Sequence, residues 1–191
     1  MRVVLGSDHG GYESKLAAIE YLKEKGIEFI DLGCYSKDSV DYPSYGIKVG
    51  EMVRDNRDVV GIVVCTTGIG ISISANKVKG VRCALCFNEK VAMMTRLHNN
   101  SNVLALPGAY LTKEEVKKIV DVFLNTEFEG GRHSRRVDII NEYDEDYNSL
   151  RRIIIDENAS ANLQSQINKL NEGVNKIVKS EAERDKLEGL K

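Results

Sequence analysis

A chain of 191 residues is long enough for one domain with a substantial core and an appendage, but short for two full enzymatic domains. Its 27 lysine and arginine residues nearly balance 29 aspartate and glutamate residues, for a formal net charge of -2. This balance gives no reason to expect nucleic acid or an anionic membrane as a partner. With no recognisable signal peptide or membrane span, we expect a cytoplasmic protein.

Short apolar runs typical of strands alternate with segments of helical period between Arg2 and Asn125. The strand-like runs are RVVLGS, IEFIDLG, DVVGIVVCT, GVRCALCF and NVLALPG. Gly26 is placed to end the first helix, and Thr112 begins the last one as an N-cap with Glu115 at capping-box spacing. The pattern predicts a doubly wound, Rossmann-like α/β domain: a five-stranded parallel sheet with helices on both faces.

The character of the sequence changes near Asp144. Apolar residues then recur at spacings of four and three, which predicts one stripe along a helix: Leu163, Ile167, Leu170, Val174 and Ile177. We therefore divide the chain into an α/β domain, 1–143, and a helical C-terminal extension, 144–191, used for packing or oligomerisation. A free coiled coil is the alternative to a helix lying on a subunit body.

Ligands of doubly wound folds bind at the carboxyl ends of the strands, so the residues that follow each run are the candidates. Asp8 and His9 follow the first run, with Asp8 placed to orient His9. Cys65 opens the stretch CTTGIG after the third run. If a helix begins near Gly70, its N-terminus favours a thiolate at Cys65 and an oxyanion beside it.

The same stretch admits other interpretations. TGIGIS is a partial match to the dinucleotide fingerprint G-x-G-x-x-G, although it follows the third strand rather than the first. Its backbone could equally cradle the oxygen of a carbonyl or an ene-diolate. Cys65 could also be a small buried hydrophobe, as most free cysteines are.

Cysteine and histidine patterns argue against redox and metal sites. Cys83 and Cys86 have C-x-x-C spacing, but on a strand that spacing turns the two side chains to opposite faces. The three histidines, His9, His98 and His133, show no short ligand spacing, so we predict no metal. Arginines surround the last histidine in GGRHSRR, where guanidinium forks suit a phosphate clamp; a solvated basic turn is the plainer interpretation.

In their order along the chain, these pieces resemble ribose-5-phosphate isomerase type B and the galactose-6-phosphate isomerase subunits. The segments that carry the resemblance are GSDHGGYESK, DLGCYSKDSVDYPSYG, CTTGIGISISANKVKGVRCALC, RLHNNSNVLALPG and FLNTEFEGGRHSRRVDII. The resemblance runs from the first strand to about Ile140. It implies a metal-independent and cofactor-independent isomerase of an aldose phosphate and a ketose phosphate.

The resemblance also assigns roles to residues. It implies that Cys65 moves a proton between C1 and C2 through an ene-diolate, that Thr67 helps to form the anion hole, and that His98 helps to open the sugar ring. The residues that it implies for substrate binding are Asp8, His9, Tyr42, Thr66, Gly68, Ile69, Gly70, Asn99, Arg132 and Arg136. Ala109 stands where the family often has an arginine that contacts substrate, and Arg135 is a candidate cation nearby.

The family's site is shared between subunits, so the resemblance implies a homodimer or a dimer of dimers. We expect interconversion of ribose 5-phosphate and ribulose 5-phosphate. The alternatives are a hexose 6-phosphate substrate, such as allose or galactose 6-phosphate, and a non-catalytic scaffold that uses the C-terminal helix.

Overall fold

Five parallel strands form one sheet in the order β2-β1-β3-β5-β4 in the structure, a computed structural model that describes residues 2–155, 165 and 167–169. The strands are β1 (Arg2–Ser7), β2 (Phe29–Asp31), β3 (Val59–Cys65), β4 (Cys83–Leu85) and β5 (Val103–Pro107). From β1 the chain adds β2 on one side and β3 on the other, so the winding reverses between β1 and β3. This reversal opens a crevice at the carboxyl ends of those two strands.

Helices cover both faces of the sheet, as the sequence predicts. They are α1 (Tyr12–Glu24), α2 (Tyr42–Asp55), α3 (Ile69–Ala75), α4 (Glu89–Asn99), α5 (Lys113–Asn125) and α6 (Ser134–Ile155). One core packs β1, β3 and β5 against α1, α4 and α5, with Leu22 and Phe123 fully buried. The other packs the opposite face against α2 and α3, through residues that include Val49 and Ile71. The doubly wound α/β fold is thus confirmed.

Local sequence explains why the elements form where they do. The central strand β3 reads VVGIVVC because it is covered on both faces, with Ile62 and Val63 entering different cores. The predicted capping box of α5 is present: Thr112 Oγ1 accepts from the Glu115 amide, and the Glu115 carboxylate accepts from the Thr112 amide at 2.8 Å. Gly26 follows α1 with φ of +66°, as expected of a residue that ends a helix.

The chain forms two compact units, Met1–Asn141 and Glu142–Lys191. The functional division predicted at residues 143 and 144 stays a prediction. Of the predicted apolar stripe, Ile167 is helical and exposed, whereas its other members lie outside the described residues. Among the described residues, no helix has both the length and the apolar character needed to span a bilayer.

Candidate active site

Cys65 is the last residue of β3 and lies at the crevice between β1 and β3. It directly follows Val64, which pairs with Ser7 of β1 in the sheet. The thiol is buried, with 4% of the residue exposed. The Gly68 N–H donates to Cys65 Sγ at 3.1 Å, so a backbone donor points at the sulfur.

The turn from Cys65 to α3 is built around a left-handed glycine. Gly68 has φ of +71°, and a Cβ at this position would collide with Leu85 Cδ1 and lie 2.9 Å from the Leu106 carbonyl carbon. Only glycine meets both conditions without strain. The turn also brings the Ile69 amide to Thr67 Oγ1 at 3.3 Å. The hydroxyl oxygen accepts this bond, which leaves the hydroxyl hydrogen to be donated elsewhere.

The first turn of α3 faces the aromatic ring of Tyr42. A Cβ added at Gly70 would lie 2.6 Å from Tyr42 Cζ and 3.0 Å from its hydroxyl oxygen. Tyr42 begins α2 and is 40% exposed, and Ile69 is 54% exposed. Thr66 is exposed as well, so the rim of this crevice is open to solvent beside the buried thiol.

Asp8 and His9 line the crevice, but not in the predicted relationship. Asp8 is buried, and its Oδ1 accepts from the Gly11 amide at 2.9 Å, which caps a 3-10 turn over His9–Gly11. The His9 ring is held by Val40, whose amide donates to Nδ1 at 3.1 Å. The expectation that Asp8 orients His9 is therefore wrong, because the tight turn after β1 commits the carboxylate to backbone.

The loop after β5 closes the same crevice. Pro107 pairs with Cys65 in the register, and the Ala109 amide donates to the Thr66 carbonyl at 3.0 Å. Ala109 is exposed. A longer side chain at this position would therefore enter solvent next to the turn that follows Cys65.

Four of the predicted site residues lie outside the segments that form the crevice. His98 and Asn99 end α4, and Arg132 and Arg136 follow α5. The Glu129 amide donates to the Leu97 carbonyl at 3.1 Å, which places the loop before Arg132 against the end of α4.

This second group lies at the amino end of the sheet. The Gly61 amide donates to the carbonyl of Asn102, which follows the end of α4 and precedes β5. At about 3.3 Å per residue, Gly61 and Cys65 are about 13 Å apart along β3. One chain therefore holds the predicted residues as two groups: the Cys65 group at one end of the sheet and the His98 group at the other.

His98 is packed against a second histidine. The rings of His98 and His133 stack with centroids 4.1 Å apart and planes 8° apart. Glu129 Oε2 lies 3.7 Å from His98 Nε2 and 3.8 Å from His133 Nε2, and Arg132 Nε donates to His133 Nε2 at 3.3 Å. Burial, followed by the charges of His98 and Arg132, lowers the pKa of His133 below its usual value of 6.5.

The ligand atoms of His98, Glu129 and His133 lie within 4.8 Å of one another, a spacing close enough for a metal site. A metal ion lies in the plane of each imidazole that binds it. Because the two rings are nearly parallel and stacked, a point between their Nε2 atoms is outside both planes. The arrangement suits stacking, and coordination would require a ring to turn.

The arginines beside this cluster suit an anion. Arg132, Arg135 and Arg136 are exposed, and none pairs with a carboxylate among the residues that the structure describes. Guanidinium groups with free donors at an open surface are well placed for phosphate oxygens.

The C-x-x-C pair takes no part in either group. Cys83 packs in the core on the α2 side of the sheet and Cys86 in the core on the α1 side, as the strand period predicts. Burial raises the pKa of Cys86 to about 12 and also raises that of Cys83. Both are therefore thiols near neutral pH and weak nucleophiles.

Sequence reasoning missed two features of the site. Lys15 is fully buried and ion-paired with Asp31 behind the crevice, although it stands within the quoted segment GSDHGGYESK. The stacking of His133 on His98 is a contact across 35 residues of chain that no local pattern reveals.

Comparison with known proteins gives a family. The family model described as Ribose/Galactose Isomerase matches residues 3–140. A solved ribose-5-phosphate isomerase B of Clostridium thermocellum is 47% identical with a TM-score of 0.74, over 77% of this chain and 99% of that one. A Mycoplasma genitalium ribose-5-phosphate isomerase B, solved with bound ribulose-5-phosphate, is 44% identical with a TM-score of 0.73, over 75% and 96%.

A third relative is the ribose-5-phosphate isomerase B of Escherichia coli, 40% identical over 73% of this chain and 93% of its own. The match covers both groups of residues, because it spans the segments that hold Cys65 and His98. The chain therefore belongs to the ribose/galactose isomerase family and is an isomerase of aldose and ketose phosphates.

Proposed function

We propose that this chain interconverts ribose 5-phosphate and ribulose 5-phosphate through an ene-diolate, with Cys65 as the base. The observation that carries the proposal is the contact of Cys65 Sγ with the Gly68 amide at the crevice between β1 and β3. A thiolate there would have a fixed donor and little surrounding water.

The proposed chemistry needs one proton carrier. Cys65 takes the proton from C2 of the open-chain aldose, the electron pair of that C–H bond forms the C1–C2 double bond, and O1 becomes an oxyanion. Cys65 then returns the proton to C1 while the proton of the O2 hydroxyl passes to O1, which leaves the ketone at C2. Each step conserves atoms and charge, and no redox partner or metal takes part.

Stabilisation of the oxyanion falls to the turn after Cys65. The Thr67 hydroxyl has a hydrogen to donate, and the Gly70 amide lies in the first turn of α3, where amides have no helical carbonyl to bind. Fixed donors aimed at charge that exists only along the reaction path lower the barrier. Asp8, His9 and Tyr42 would bind the sugar hydroxyls.

We propose that a second copy of the chain completes each site. The residues of the Cys65 group lack a group that opens the sugar ring and a clamp for the phosphate. The His98 group offers both, in His98, Arg132 and Arg136. Since one chain holds the two groups at opposite ends of its sheet, the His98 that serves one Cys65 would come from the partner subunit. A two-fold dimer would then hold two composite sites.

Pentose phosphate is the preferred substrate class because the similar proteins of Escherichia coli, Clostridium thermocellum and Mycoplasma genitalium are named for ribose 5-phosphate, and the last was solved with ribulose-5-phosphate. A hexose 6-phosphate is the second candidate, since Ala109 leaves open space beside Thr66. Turnover of ribose, allose and galactose phosphates, followed by NMR in deuterated water, distinguishes them. A larger kcat/KM for a hexose phosphate would reject the pentose assignment.

The base assignment is tested with Cys65→Ala. We expect exchange of the substrate C2 proton with solvent to fall at least about 100-fold, as for loss of a general base, while binding of the phosphate ligand persists. Cys86→Ala removes a buried thiol that lies in the core on the α1 side and should keep exchange near the wild-type rate. Retained exchange in Cys65→Ala would refute the assignment.

The composite site is tested by mixing two inactive variants, Cys65→Ala and His98→Asn. After the subunits re-equilibrate, half of the dimers are mixed, and each mixed dimer has one intact site. Activity should return to about a quarter of the wild-type value. If mixing restores no activity although mass spectrometry shows mixed dimers, the two groups do not meet across an interface.

A further inference from the structure

The ammonium group of Lys15 lies in the interior, with none of its side chain exposed. Its Nζ donates to both oxygens of Asp31, at 2.6 and 2.8 Å, and to the Cys34 carbonyl at 2.6 Å. A buried charge is tolerated only where it is paired and hydrogen-bonded. All three hydrogens of this ammonium therefore have acceptors, and these acceptors belong to the chain that leaves β2.

These contacts anchor the start of the segment 31–42, which joins β2 to α2. Asp31 also accepts from the Gly33 amide at 2.9 Å. The Ser7 amide then donates to the Gly33 carbonyl at 2.7 Å, and the Cys34 amide donates to the Ser7 carbonyl at 2.8 Å. Lys15 thereby holds this end of the segment against the residue that precedes Asp8.

The far end of the segment contributes two contacts to the Cys65 group. The Val40 amide holds the His9 ring, and Tyr42 faces Gly70. Residues 35–39 between the two ends are exposed, so they contribute little packing of their own. The position of Val40 therefore depends on the anchored end at Cys34, and Tyr42 is held in addition by the packing of α2 on the sheet.

We propose that Lys15 is a positioning residue of the isomerase: through Asp31 and Cys34 it places the segment 31–42 so that His9 and Tyr42 meet the substrate. Lys15 itself has no access to the crevice, because its side chain is wholly buried. The proposal rests on the proposed function insofar as His9 and Tyr42 bind sugar phosphate.

The experiment compares Lys15→Met with a matched control, Lys117→Met. Lys117 is also largely buried, at 17% side-chain exposure, and also pairs with acidic groups near it, Glu20 and Glu24 of α1, but it lies on α5 away from the segment. Both variants are assayed where circular dichroism shows them fully folded. We expect KM for ribose 5-phosphate to rise at least about fivefold in Lys15→Met, with a smaller change in kcat, and to stay within about twofold in Lys117→Met.

A second measurement needs no substrate. The NMR signals of the Val40 amide and of His9 Nδ1 report their hydrogen bond, and we expect both to shift in Lys15→Met and not in Lys117→Met. If the wild-type protein fails to turn over ribose 5-phosphate, the proposed function fails. These two signals still show whether Lys15 positions the segment 31–42.

Should Lys15→Met not fold, Asp31→Asn weakens the same anchor and keeps the Cys34 contact; we expect KM and both signals to change in the same direction but less. Unchanged KM and signals in a folded Lys15→Met, or in a folded Asp31→Asn when Lys15→Met does not fold, would overturn the proposal. Equal rises of KM in both lysine variants would overturn it too, since stability alone would then explain them.

Discussion

The Gly68 amide nitrogen lies 3.1 Å from Cys65 Sγ, within a single turn that joins β3 to α3. The contact requires Gly68 to adopt φ of +71°, a conformation in which an L side chain is strained. Backbone geometry and the environment of the thiol are therefore coupled at this turn.

Gly68→Ala tests that coupling. The left-handed conformation costs about 1–2 kcal/mol for alanine, and the collision with Leu85 adds about 1–3 kcal/mol. We expect the free energy of unfolding in urea to fall by the sum of these terms and turnover to fall at least about tenfold, because the amide no longer points at the sulfur. Gly26→Ala is the control: φ is +66° with open space around the added Cβ, so it should lose only the conformational term and keep its turnover. Equal turnover in the two variants would show that the Gly68 contact does not matter for catalysis.

Gly70→Ala separates substrate binding from stability. The added methyl would displace the Tyr42 ring, which is 40% exposed and free to turn outward. Alanine also favours a helix by about 1 kcal/mol over glycine. We expect the urea midpoint to stay close to that of wild type while KM for sugar phosphate rises several-fold. A variant with unchanged KM would remove Tyr42 from the proposed binding residues.

His133 predicts a dependence of stability on pH. Its pKa is lowered in the folded chain, by burial first and then by His98, Arg132 and Arg136, with Glu129 opposing them, so the fold favours the neutral ring. The resulting contribution is full above 6.5, the usual pKa, and is lost as pH falls through the lowered pKa. Unfolding at pH 7.5 and 5.5 should show wild type losing stability relative to His133→Gln at the lower pH. An NMR midpoint for His133 at or above 6.5 would contradict this.

A variant that ends at Tyr143 tests the division into two domains. The Clostridium thermocellum structure matches 77% of this chain over 99% of its own length, so a relative lacks a counterpart of the remainder. We propose that residues 1–143 fold, dimerise and turn over substrate alone. Light scattering should therefore give the mass of two shortened chains, and turnover should be unchanged. A second variant that ends at Ile155 keeps all of α6. A monomeric, inactive product from both variants would instead assign assembly to the extension.

The pattern of elements was predictable because it arises from interactions within a few residues. The near-continuous apolar run of β3, the Thr112–Glu115 capping box and the glycine after α1 each act over less than a turn or along one strand. Opposite faces for Cys83 and Cys86 follow from the strand period in the same way.

The partners of individual side chains were less accessible. Asp8 was expected to orient His9, yet its carboxylate caps the Gly11 amide and Val40 holds the ring. Adjacency in sequence does not reveal which way a tight turn directs a side chain. The burial of Lys15 against Asp31 likewise depends on how α1 packs beside β2.

By itself the sequence determined the strand and helix pattern, the parallel α/β architecture and the family motifs, because periodicity, capping and short motifs are local properties of the chain. Only the tertiary structure decided that the His98 ring stacks on that of His133 and that Lys15 is buried against Asp31. These contacts join residues that are far apart in sequence, so they depend on how the strands pair and the helices pack rather than on any local pattern.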